Sequence, residues 1–147
     1  MAKSLPDTSA GLEEPKVDLL GQLHVDLDAR YMLRPSRRAI SNIERETGKK
    51  LAQLAIGAGC MDLSVEEMAV GVVEMMKAYG EANDGAGAEY RSSNADRVAD
   101  LIYEAGSTKV SRRLATIFLG ALNGGYTASG EVKTSGMTMM EPTPTVA

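Results

Sequence analysis

A mainly helical domain opened by a short β-hairpin is the fold this sequence predicts. Three observations carry that reading. Apolar and polar residues alternate strictly only around Leu23 to Leu27. From Ile40 to Ala121 the apolar residues recur instead at intervals of three and four. Serine, asparagine and glycine punctuate those runs where caps and stops belong.

Residues 1–21 contain Pro6, Gly11 and Pro15 with few apolar side chains, and are expected to form a flexible leader. Leu23, Val25 and Leu27 then alternate with His24 and Asp26, the period of a half-buried strand. "LDAR" supplies a turn and "RYMLR" a second extended stretch, so a hairpin of about 22–27 and 30–34 follows. Pro35 ends it, because proline has no N–H to give a ladder.

Ser36 is an N-cap for the first helix, in which Ile40 and Ile43 share a face and Gly48 provides the stop. A second short helix, about 49–56, buries Leu51, Leu54 and Ala55 and is expected to break at "GAGC", 57–60. The third has the clearest start, since "SVEE" places Ser64 and Glu67 as a capping box. Its Val65, Met68, Val72, Met75, Met76 and Tyr79 lie on one continuous face, with Gly71 inside as a point of close packing. "GEANDGAGAEYRSS", 80–93, reads as a linker loop. Ser93 or Asn94 caps a fourth helix with Val98, Leu101, Ile102 and Ala105 as its stripe. Gly106 closes it, and a fifth helix from Ser107 or Thr108 carries Val110, Leu114, Ile117, Phe118 and Ala121. "NGG", 123–125, ends the bundle of about five helices, leaving 126–147 as a flexible tail.

At 147 residues the chain fits one domain, placed at 22–125. A net charge of −4 argues against a dedicated nucleic-acid binder, which shows a basic domain. One cysteine cannot close an internal disulfide. The best apolar stretch, "MAVGVV", is cut off by Glu74 and is far too short for a membrane span. With no Trp and one Phe, the core must be aliphatic and methionine-rich. Nine methionines also suit an adaptable contact surface.

A search for chemistry yields no catalytic set, and an enzyme is not expected. His24 is the only histidine and reads as a solvent-facing strand position. With distant Cys60 it has no metal-ligand spacing, and no cofactor is expected. Cys60 has acids, not bases, for neighbours and reads as buried or incidental. Glu44 and Glu46 point to different sides of a helix. Asp96 and Asp100 share a face that reads as solvated. "NDGAGAE" lacks the Lys-Ser/Thr ending of a phosphate loop. Arg34, Arg37, Arg38, Arg45, Lys49, Lys50, Arg112 and Arg113 form two basic clusters. A helix-turn-helix across 51–68 would present Glu66 and Glu67 to phosphates, so the charges read better as a solvated or docking face.

The order of these pieces, "LHVDLDARYMLRPS", "IERETGKKLAQLA", "LSVEEMAVGVVEMM", "LIYEAG" and "FLGALNGG", resembles the phage tail assembly chaperone family of the gene transfer agent type. That family is also described as tail tube protein of gene transfer agents. The likeness covers roughly 22–125. It implies a non-enzymatic protein that binds tail tube or tape-measure protein during tail assembly, in the cytoplasm of a bacterial host. A structural part of the finished tail is the alternative, and a small helix-turn-helix DNA-binding regulator a third reading. The family has no agreed catalytic residues, so none carries over. Apolar spacing and methionine content place the expected partner-binding surface at Met68, Val72, Met75, Met76, Tyr79, Ile117 and Phe118.

Overall fold

The computed structural model describes residues 19–133. After a 3₁₀ turn at Leu20–Gln22 come β1 (His24–Asp26) and β2 (Arg30–Met32). The helices are α1 (Arg37–Thr47), α2 (Leu51–Gly59), α3 (Val65–Ala82), α4 (Ala88–Arg91), α5 (Ala95–Ala105) and α6 (Ser107–Leu122). The chain is thus mainly α with an N-terminal hairpin, as its periodicity predicts.

The strands pair antiparallel with Val25 opposite Tyr31 and Asp26 opposite Arg30. The first pair is buried; the second is an exposed ion pair at 2.8 Å. Arg113 of α6 donates to the main-chain carbonyls of His24 (2.7 Å) and Gln22, which ties the hairpin to the bundle. Ser36 caps α1 by accepting the Ala39 N–H, and Gly48 closes it in the left-handed conformation. Glu44, unremarkable in the sequence, reaches across the break and accepts the Leu51 N–H at 2.9 Å, giving α2 a side-chain cap from the preceding helix. The capping box of α3 forms as expected, and the Glu67 carboxylate also holds Lys49 at 3.1 Å.

Helix α3 is the centre of the molecule. It meets α1, α4, α5, α6 and β2. Its methionines are therefore enclosed on several sides rather than on one. Around it pack Ile43, Leu54, Val98, Ile102, Val110 and Leu114, all fully buried. At Gly71 a Cβ would stand 3.4 Å from the Phe118 ring, so the absent side chain lets α6 approach α3 closely.

Three boundaries differ from the sequence reading. Helix α2 runs through Gly57 and Ala58 to Gly59 instead of stopping at 57, because both residues are buried within it. The 80–93 segment is not a plain loop. It holds a 3₁₀ turn at Asp84–Ala86 and then α4, whose Tyr90 is buried against Tyr79 and Tyr31 and accepts the Met32 N–H at 2.8 Å. The tail does not begin at 126. Tyr126 bridges Val132, its hydroxyl donates to the Ile117 carbonyl, and Ala128 accepts the Arg37 N–H. Residues 126–133 thus close over the start of α1 and the end of α6. Similarly, Leu19 of the expected leader packs toward Gly120 and Gly125. The rest of the expected leader (1–18) and tail (134–147) lies outside the described residues.

Candidate partner-binding face

The surface expected from the sequence is the core. Met68, Val72, Met75, Met76, Ile117 and Phe118 are all buried, and Tyr79 is half-buried against Tyr90. The physical reason is the central position of α3. Helical apolar spacing marks the side that leaves water, and here neighbouring helices of the same chain already cover it.

Large exposed apolar side chains lie elsewhere: Ile56, Leu119 and Leu122 along α2 and α6, Tyr103 on α5, Met61 just past α2 and Leu20 in the 3₁₀ turn. Helices α2 and α6 make the most extensive pairing in the fold and run antiparallel. The buried Ser111 hydroxyl on α6 donates to the Ala58 carbonyl of α2 at 2.7 Å, while Leu51 and Ala121 line one notch at the other end. Leu54, Ala55 and Ala58 turn α2 inward. At 100° per residue this leaves Ala52, Ile56 and Gly59 on its outer side, and all three are exposed. On α6 the inward residues are Val110, Leu114, Ile117 and Phe118, which leaves Arg112 and Leu119 outward, Ala115 half-buried at the flank and Leu122 at the seam. Ile56 is 65% exposed, Leu119 48% and Leu122 45%. In composition, "LAQLAIGAG" has one polar residue in nine, so α2 lacks the polar outer side of an ordinary surface helix.

At the end of the seam a notch of about 260 Å3 opens among Pro35, Ile40, Leu51, Ala121 and Tyr126, with Arg37 at its rim. Tyr126 is a buried wall here, and burial pushes its phenol upward.

The charges carried by the two helices themselves have one sign, while Glu44 stands at the start of α2 on the Leu51 N–H. Neither α2 nor α6 contains an aspartate or glutamate. Lys50 precedes α2, and Lys109 and Arg112 stand exposed on α6. Among the described residues none of the three lies within ion-pair distance of a carboxylate. Lys109 borders a small pocket with Asp26, but that carboxylate is held by Arg30.

The remaining candidates from the sequence stay apart. His24 is largely covered rather than solvent-facing, with 14% of its side chain exposed. Burial, then Arg113 and Arg30, hold its pKa below the ordinary value against the pull of Asp26. Cys60 is exposed at the end of α2, so the buried reading of it is corrected. Among the described residues no three His, Cys, Asp or Glu side chains gather as a metal set, and no helix is long and apolar enough to cross a membrane. Asp96 and Asp100 are exposed on α5, as expected.

Compared with family models, with curated proteins and with solved structures, the chain matches none.

Proposed function

We propose that the chain is a non-enzymatic tail assembly chaperone of the gene transfer agent type, which binds tail tube or tape-measure protein during tail assembly in the cytoplasm of a bacterial host. The observation that supports this best is the outward face of α2 and α6. A partly uncovered Ile56, Leu119 and Leu122 beside small residues give an area on which a partner's apolar surface gains by leaving water. The charges beside it keep the free protein dissolved. The sequence likeness over 22–125 supplies the kind of partner.

The test is coexpression of the full chain with each product of the adjacent tail genes. One of them is expected to stay soluble and to copurify. If every neighbour behaves the same with and without the chain, the reading fails. Mass spectrometry of finished particles separates a chaperone, which is scarce there, from a structural tail component, which is abundant.

A further inference from the structure

We propose that the α2/α6 face takes an amphipathic helix whose apolar stripe is bordered by carboxylates. The inference deepens the chaperone reading and rests on it for the presence of a partner, while the chemistry of that partner is read from the face itself.

Four observations carry it. The face is built from side chains of two packed helices and offers no strand edge. A segment covering it must therefore satisfy its own N–H and C=O groups, which a helix does. Ala52 and Gly59 are small and exposed, and Ala115 is small and partly covered by the core, while Ile56, Leu119 and Leu122 stand out beside them. Ridges beside shallow places are what a third helix packs against at an axis distance of about 8–10 Å. The face is also long enough, since the 16 residues of α6 span roughly 24 Å.

Charge then selects among helices. Lys109 and Arg112 border the apolar strip, Lys50 precedes α2, and no carboxylate on either helix balances them. In a chain of net charge −4 these two helices carry only cations, and the neighbouring carboxylates, Glu44 on the Leu51 N–H and Asp26 on Arg30, already have partners. A second copy would bring the same unbalanced cations to the same strip, so self-association is opposed by like charge. A nucleic acid would satisfy the cations but would strand Ile56, Leu119 and Leu122 against phosphate and sugar. A helix with glutamates or aspartates beside its leucines meets both demands at once.

The probes are two synthetic 18-residue helical peptides with the same leucine stripe, one flanked by glutamates and one by lysines, titrated calorimetrically into the full chain. The glutamate peptide is expected to bind and the lysine peptide not to. Arg112→Glu, on an exposed side chain that leaves the fold alone, should weaken the glutamate peptide about three- to tenfold at low salt, and less at high salt. Leu119→Glu, checked by circular dichroism, should weaken it on the order of tenfold or more. Equal binding of both peptides, no binding of either, or an affinity unmoved by Leu119→Glu overturns the inference. A stable dimer that Leu119→Glu dissociates also overturns it and assigns the face to a second copy. The two readings fail separately. If the glutamate peptide binds as described and no tail protein copurifies, the chaperone role falls. If a tail protein copurifies equally well with Leu119→Glu, the face falls.

Discussion

The hydroxyl of Ser111 donates to the carbonyl of Ala58 across 2.7 Å, in the interior of the seam between α6 and α2. Tyrosines aside, Ser111 is the one buried polar side chain among the described residues. It locks the C-terminal end of α2 to α6 and so fixes which side of that apolar helix remains outside. Ser111→Ala removes a buried hydroxyl and leaves the carbonyl with weak main-chain partners, so it should destabilise by about 1–2 kcal/mol. The urea midpoint should fall with an unchanged slope. An unaltered midpoint would mean that the bond contributes nothing.

The methionines of α3 and the isoleucine of α2 should respond in opposite ways to the same charge. Met75 is fully buried, and Met75→Asp places an unpaired carboxylate among aliphatic side chains. It should cost about 4 kcal/mol or more, a large part of a small domain's stability. Ile56→Glu should change the melting temperature little, because the side chain already faces water. Thermal melts of the two variants check this. A folded Met75→Asp, or an unfolded Ile56→Glu, would contradict the assignment of inside and outside.

Two glycines should also diverge. At Gly80 a Cβ would stand 2.9 Å from the Cβ of Tyr90, closer than real contacts, and Arg91 crowds it further. Gly80→Ala should therefore destabilise by about 1–3 kcal/mol and loosen α4. At Gly59 nothing lies within 4 Å, so Gly59→Ala should be neutral or stabilise by up to about 1 kcal/mol. Denaturant titrations of both read the difference.

Acid should weaken the fold in two stages. The folded pKa of His24 lies below its ordinary 6.5, so the unfolded chain takes up that proton first. Its contribution is whole above about pH 6.5 and declines as the pH drops below that. Burial pushes the Glu67 carboxyl up, but the Ser64 N–H and Lys49 outweigh it and hold the folded pKa below 4.5. Its contribution is present above about pH 4.5 and is lost as the pH falls further. His24→Gln should flatten the upper stage and Glu67→Gln the lower, in urea midpoints followed from pH 7 to 3. Parallel curves for wild type and His24→Gln would remove histidine from the explanation.

How much of this was legible in the sequence follows from what periodicity measures. The stripes of α3 and α6 identified the buried sides correctly, since Met68, Val72, Met75, Ile117 and Phe118 left water. Periodicity does not say whether the covering surface belongs to the same chain or to another, and here the stripe expected to dock a partner is covered by the chain's own helices. The α2/α6 face did leave a trace. "LAQLAIGAG" has almost no polar contrast, and Leu119 is an apolar residue outside the stripe of its helix. The segment around Tyr90 was invisible because its anchor is a stack of Tyr31, Tyr79 and Tyr90 drawn from three parts of the chain. Residues 126–133 were hidden for a similar reason. Their order comes from Arg34 and Arg37, some ninety residues earlier, through bonds to Ser129 and Ala128.

Isoleucine methyl resonances offer the most direct test. The chain has five isoleucines, and Ile56 alone is exposed, while Ile40, Ile43, Ile102 and Ile117 are buried. In a full chain labelled at isoleucine δ1 methyls, addition of the glutamate-flanked helical peptide should shift and broaden Ile56 while the other four hold their positions. An unmoved Ile56, or a shift centred on Ile102 and Ile117, would show that partners enter the core rather than dock on its outer helices.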